Sequence, residues 1–218
     1  MQPIIDLQDI SLELNNQSIL KHISFQVNHG DFLTITGPSG SGKSTVLKLI
    51  AGLISRTSGD IKFNEKSIDS YDPIEYRRIV SYCFQTPVLF GETVKDNLEF
   101  PYIIRKQDFD ETRAISELES VGLPSSYLHK SINELSGGEK QRVALIRNLI
   151  FLPKILLLDE ITSALDSESK NIIHALINRL NDSNKITIIA VTHDDNEIKL
   201  ADQLINIEAG KITEVTHA

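Results

Sequence analysis

A chain of 218 residues, 40% hydrophobic and 24% charged, is long enough to bury one large core, or a core with a smaller subdomain attached. Its formal net charge of −8 speaks against nucleic acid as the main partner, because a surface that tracks phosphates is normally basic, and no nucleic acid is expected. Cys83 is the one cysteine, which excludes an intrachain disulfide and a cysteine-rich metal site and fits a reducing, cytosolic setting. The opening residues MQPIIDLQDI have neither the basic start nor the apolar length of a signal peptide. Apolar runs such as ILLL are far too short to span a bilayer, so work at a membrane is expected to go through a partner.

Along the chain, short apolar segments bounded by turn residues come first: IIDLQDISLEL (4–14), SFQV (24–27) and, after the turn-like NHGD, FLTITG (32–37). These read as strands, with an antiparallel element near the N-terminus. GKSTVLKLIAGL (42–53) reads as a helix and GDIKFNEKSI (59–68) as a hairpin. From about Glu92 the pattern turns helical; in DFDETRAISELESVGL, Phe109, Ile115, Leu118 and Val121 recur at helical spacing. After residue 142, strand and helix alternate. KILLLDE (154–160) reads as a buried strand, and ESKNIIHALINRL (168–180) as a helix with Ile172, Ile173, Leu176, Ile177 and Leu180 on one face. KITIIAVTH (185–193) is again a strand, and INIEAGKITEV (205–215) a hairpin. Such alternation predicts an α/β fold with a mostly parallel sheet covered by helices on both sides. Residues 1–218 are expected to form a single domain, with an N-terminal antiparallel β subdomain and a helical subdomain inserted at approximately 92–135.

GPSGSGKST lies between an apolar strand and a helix and fits the spacing GxxxxGK followed by Ser or Thr. Gly37, Pro38, Ser39, Gly40, Ser41, Gly42, Lys43, Ser44 and Thr45 are therefore the candidate phosphate-binding residues. The glycines let the loop curl with backbone N–H groups turned inward, and the following helix adds its positive end. Lys43 would neutralise the outer phosphates, and Ser44 would offer its hydroxyl to Mg²⁺. Asp159 and Glu160 end a buried strand, at the edge where open parallel sheets bind ligands. Asp159 is the candidate for the Mg²⁺ shell and Glu160 for polarising an attacking water. His193, closing a strand expected beside these, is a candidate to reach the γ-phosphate, and Gln85 in YCFQTPVLF a candidate to reach the metal or the water. These pieces alone leave several phosphate-loop classes open, among them small-molecule kinases and GTPases.

In LSGGEKQR (135–142), Ser136 and Glu139 have the spacing of a capping box. That leaves Gly137 and Gly138 unexplained, since glycine weakens a helix unless something must approach its backbone. The octapeptide has the form of the signature sequence of ATP-binding-cassette (ABC) ATPases, and the chain resembles the nucleotide-binding subunit of an ABC transporter over nearly its whole length. The family pattern falls on a Walker A loop at Gly37–Thr45, a Q-loop at Gln85, the signature at Leu135–Arg142, Walker B at Ile155–Asp159 followed by Glu160, a D-loop at Ser163–Asp166 and a switch at His193. The resemblance implies a phosphate-loop NTPase core that hydrolyses ATP with Mg²⁺, catalytic roles for Glu160, His193 and Gln85, and metal roles for Ser44, Gln85 and Asp159. It implies a homodimer paired head to tail, in which Ser136, Gly137 and Gly138 of one chain cover the γ-phosphate held by the other. It also implies a membrane-spanning permease subunit as partner and a location at the cytoplasmic face of the cell membrane.

The family usually stacks an aromatic residue on adenine. That position falls on Leu14, and residues 10–24 contain no Phe, Tyr or Trp, which leaves the preference for ATP over GTP open. FQTPVLFGETVKDNLEFP (84–101) is similar to the Q-loop region of exporter cassettes, and its Pro87, Leu89 and Phe90 are expected to receive a cytoplasmic helix of the membrane subunit. Asn148 stands where the family usually has Ala, and Ile161 where Pro usually follows the catalytic Glu; both resemble the ATP-binding subunits of Fet-type bacterial iron exporters. Export of iron or another metal ion is thus expected, although the six His residues are dispersed and form no iron site in this chain. The alternatives are a soluble ABC ATPase outside transport and the ATPase of an importer.

Overall fold

The computed structural model describes residues 2–199 and 201–217. Asn15 and Asn16, both left-handed (φ +51° and +62°), join β1 (Pro3–Leu14) to β2 (Gln17–Asn28) through a two-residue turn whose twist suits paired strands. The same device recurs at Asn64 and Glu65, between β4 (Ser58–Phe63) and β5 (Lys66–Ser67), and at Ala209 and Gly210, between β9 (Gln203–Glu208) and β10 (Lys211–His217). Strands β2, β1, β4 and β5 form an antiparallel sheet in that order, as the N-terminal pattern predicts. β2 spans 12 residues, far more than SFQV alone. Its first half alternates weakly, and pairing with β1, for example Leu12 opposite Leu20, holds it extended.

The second sheet has six strands in the order β10, β9, β3 (Phe32–Thr36), β8 (Thr187–Val191), β7 (Ile155–Asp159), β6 (Val80–Cys83). All its pairings are parallel except that of β10 with β9. Alternation along the strands divides the interior in two. Ile155, Leu157, Ile189 and Val191 join one hydrophobic cluster, whereas Leu156, Leu158, Ile188 and Ala190 join the other. The first cluster holds α1 (Lys43–Ile50), Tyr76 of α2 (Pro73–Ile79) and the inner face of the antiparallel sheet. The second holds α3 (Val94–Ile103), α4 (Glu111–Ser120), α5 (Gly137–Leu149) and α6 (Ser167–Asn184). Helices thus cover one face alone, while the other shares its cover between helices and a second sheet. That sheet is the expected N-terminal antiparallel subdomain, and its strands turn apolar side chains such as Ile5, Leu7, Ile23 and Ile61 into the same core as the helices on this face. Each such fully buried aliphatic side chain contributes roughly 1.5–3 kcal/mol.

Helices α3, α4 and α5 lie between β6 and β7 in sequence, with short 3-10 turns at Ser125–His129 and Ile132–Glu134 before α5. A last short helix, α7 (Asp195–Ile198), follows β8. Among the described residues, no helix is long and apolar enough to cross a membrane.

Candidate nucleotide-binding site

Four neighbouring parallel strands end at one edge of the six-stranded sheet, and each delivers one of the motifs. β3 runs into the glycine-rich loop, β8 into His193, β7 into Glu160 and β6 into Gln85. Residues up to 156 positions apart in sequence, Gly37 and His193, are brought to one edge by strand order alone.

The loop is shaped by its own packing. A Cβ on Gly37 (φ +133°) would collide with the carbonyl of Ile207 on β9. Gly42, also left-handed, is the N-cap of α1. Lys43 is buried, and its Nζ donates to the carbonyls of Gly37 (2.7 Å) and Pro38 (2.8 Å). Ser39, Gly40, Gly42, Lys43, Ser44 and Thr45, with Ile19, Gln85 and Glu160, line an open hollow of about 260 Å³. Ser41 is buried behind it, and its hydroxyl has no hydrogen-bond partner.

Opposite the loop, Ser44 Oγ donates to Asp159 Oδ1 (2.7 Å) and the Tyr82 hydroxyl donates to Oδ2 (2.6 Å). Burial first, and the adjoining Asp159 carboxylate second, push the Tyr82 hydroxyl far above its ordinary pKa, so it stays a donor. Tyr82 escaped the sequence reading, because its contact depends on β6 pairing with β7, which no local pattern in the sequence reports. Glu160 adopts a left-handed conformation (φ +48°), held by its N–H to the Val191 carbonyl (2.9 Å) and by Ser163, whose N–H and hydroxyl both donate to the Glu160 carbonyl (3.1 and 2.8 Å). For a non-glycine residue this conformation is costly and clusters at functional sites. Its carboxylate accepts from Gln85 Nε2 (2.9 Å), and His193 Nε2 lies 3.6 Å away on the other side. Gln85, expected at the metal or the water, thus has its amide on Glu160.

One position expected near the nucleotide falls elsewhere. Leu14 sits exposed at the end of the first hairpin and does not line the hollow; Ile19, on the returning strand, does. Ser136, Gly137 and Gly138, expected to face the site of a second chain, do not line the hollow of their own chain. They start α5, where the capping box is present in both directions: Glu139 N–H to Ser136 Oγ (3.2 Å) and Ser136 N–H to Glu139 Oε2 (2.7 Å). The two glycines differ. A Cβ on Gly138 would meet Ser169 Oγ at 2.7 Å, so close packing against α6 explains it, whereas open space surrounds the same position on Gly137. Asn148 donates to the Tyr82 carbonyl (3.4 Å) and to Cys83 Sγ (3.2 Å), tying α5 to the strand before Gln85. Burial pushes the Cys83 thiol up to about 12, so it acts as a neutral core group.

A parallel sheet with a glycine-rich loop at the end of one strand and paired acids at the end of another defines a phosphate-loop nucleoside triphosphatase fold. The family profile described as ABC transporter matches residues 20–163. The chain is 48% identical over 217 residues to the Escherichia coli (strain K12) protein named "Probable iron export ATP-binding protein FetA", covering 99% of this chain and 96% of that one. It is 39% identical to the spermidine/putrescine import ATP-binding protein PotA of Mycoplasma capricolum, covering 97% of this chain but 61% of that relative's length. Among solved structures, a dimeric post-hydrolysis state of the ATP-binding cassette MJ0796 bound to ADP and Pi matches with a TM-score of 0.88 and 30% identity, covering 98% of both chains. The chain belongs to the ABC transporter family, and it is one of the family's ATP-hydrolysing cassettes.

Proposed function

We propose that this chain powers a membrane transporter as one of two identical ATPase subunits at the cytoplasmic face of the membrane, and that the transporter exports iron or another metal ion. The observation that carries the reading is one hollow lined by Lys43, Ser44, Gln85 and Glu160, with Asp159 bonded to Ser44 and His193 beside Glu160. Backbone N–H groups of the loop and Lys43 bind the phosphates, Glu160 takes a proton from the attacking water, and His193 and Gln85 orient the terminal phosphate and that water. Ser44 and Asp159 fit Mg²⁺, which takes hard oxygen ligands and keeps some of its shell for phosphate and water. Among the described residues no cluster of three His, Cys, Asp or Glu side chains is placed to hold a metal by itself, which suits an ion brought with the nucleotide. The ion, when bound, neutralises charge that develops between the outer phosphates.

The hollow is smaller than the roughly 300–1,000 Å³ of enclosed small-molecule sites, so it leaves part of a nucleotide uncovered. A second chain supplying Ser136 and Gly137 to the γ-phosphate would complete the enclosure, and the open space around Gly137 suits such an approach. Mixing Lys43→Ala chains with Ser136→Arg chains tests this. A mixed dimer collects both lesions in one site and frees the other, so two inactive preparations should recover ATPase activity on mixing. Hydrolysis by the monomer, independent of protein concentration and insensitive to Ser136→Arg, would contradict shared sites.

Export is favoured because the chain is 48% identical to FetA and 39% identical to PotA. For the permease, a groove lies between α2, α3 and the end of α5, with Ile74, Phe100, Ile104 and Phe151 along it and Arg77, Arg78 and Arg105 beside them. Phe90, 39% exposed, packs edge-on against Phe100 at 4.9 Å between centroids, so it supports this surface from beside the groove. Phe90→Asp and the more exposed Ile74→Asp should each abolish co-purification with the membrane subunit, with the melting temperature held within a few degrees of the parent. Retained co-purification in both would place docking elsewhere.

A further inference from the structure

Lys170 and His174 stand one turn apart on α6 and therefore on one face of it. From that face Lys170 Nζ reaches Asp194 Oδ2 (3.2 Å) and His174 Nε2 reaches Glu197 Oε1 (2.8 Å). The same Glu197 oxygen accepts from the hydroxyl of Thr162 (2.7 Å). Glu197 is 5% exposed and Thr162 2%. Asp194 directly follows His193, Glu197 comes four residues after it, and Thr162 comes two residues after Glu160. One buried carboxylate therefore joins the segment carrying His193, the turn carrying Glu160, and α6.

A carboxylate is costly to bury unless its oxygens are hydrogen-bonded, and a site that only needed filling would take an apolar side chain at less cost. What the bonds hold is the question. His193 has an exposed side chain, and its approach to Glu160 is longer than a hydrogen bond. The last backbone tie between the two segments is Glu160 N–H to Val191 O, before His193. Beyond it, the course of the chain is set by Asp194 N–H on Thr192 Oγ1 (3.0 Å), by the Lys170–Asp194 pair and by Glu197. Of these, the Glu197 carboxylate alone reaches the Glu160 turn directly, through Thr162.

We infer that Glu197 is a positioning residue for hydrolysis: by accepting from Thr162 and His174 it fixes the segment that carries His193 against the turn that carries Glu160. This rests on the reading that His193 and Glu160 act on the terminal phosphate and the water. Lys170, His174 and Asp194 share that packing, and α6 is capped by Asp166, the end of the Ser163–Asp166 stretch, so a shift of α6 is passed to His193 through the same bonds.

The test follows single-turnover hydrolysis of radiolabelled ATP, so that slow variants stay measurable, together with nucleotide affinity and melting temperature. Glu197→Ala should lower the rate constant at saturating ATP about tenfold while the nucleotide dissociation constant stays within about twofold of the parent. Glu197→Gln keeps a carbonyl oxygen that accepts from both donors and should restore most of the rate. If Glu197→Ala folds poorly, Thr162→Val, which removes one bond and keeps the shape, should lower the rate in the same direction. In a His193→Ala background, Glu197→Ala should cost less than a further factor of about two, because a residue that acts through another has nothing left to position. Losses that multiply in the double variant would overturn the inference and leave the roles of His193 and Glu160 standing. Parent-like turnover by His193→Ala alone would overturn the role of His193 and the inference together.

Discussion

Lys43→Ala should leave a folded protein whose ATP turnover has dropped by more than roughly 10²-fold, the loss typical of removing one preorganised donor to a developing charge. Lys43 is 5% exposed, yet among the described residues no carboxylate lies within ion-pair distance of it; its three N–H donors face two neutral carbonyls, Gly37 and Pro38. A buried ammonium satisfied only by loop carbonyls has its charge still to offer, and the outer phosphates of a nucleotide are the partner that uses it. The fold does not depend on that charge, because α1 is held by Val46, Leu47, Leu49 and Ile50 against the core. Phosphate release at saturating ATP should therefore fall, nucleotide affinity should weaken, and the melting temperature should stay within a few degrees of the parent. Near-parent hydrolysis by a folded Lys43→Ala protein would remove the phosphate loop from the mechanism.

The same residues divide what the sequence made legible from what it did not. The phosphate loop and the capping box at Ser136 and Glu139 are local: spacing along the chain is their geometry, and both stand in the structure as the spacing predicts. The strands carrying Glu160 and His193 were legible because unbroken apolar runs report burial on both faces. Contacts set by strand order were not. Tyr82 meets Asp159 because β6 pairs with β7, and Ile19 replaces Leu14 beside the loop because β2 turns back at Asn15 and Asn16 instead of continuing. Gly138 also packs against Ser169 on α6, a contact no local pattern announces. Glu197 sits in the polar run DDNE and reads there as a solvated acid; only packing against Thr162 and His174 reveals it as buried.

Glu160→Gln is the substitution that separates chemistry from architecture at this site. The left-handed backbone at residue 160 is held by main-chain bonds to Val191 and by Ser163, neither of which involves the side chain, and glutamine tolerates the same dihedrals as glutamate. Its carbonyl oxygen can accept from Gln85 Nε2 as the carboxylate does, and its amide can face His193 at the same distance. If the work of Glu160 were to hold Gln85 and His193 in place, the variant would turn over ATP nearly as the parent does. If its work is to take the proton of the attacking water, the loss should be roughly 10²–10⁴-fold, because an amide has no basicity to offer. ATP would still bind, since Lys43, Ser44 and the loop are untouched, and the variant should gather in MgATP as a species of twice the monomer mass on size-exclusion chromatography. Turnover close to the parent rate, with monomer alone in MgATP, would leave the Gln85–Glu160–His193 row as scaffolding and send the search for the base to another group. The predicted pairing of lost turnover with a gained dimer requires the two chains to close before the proton moves, and the open surroundings of Gly137 leave its backbone free for that closure.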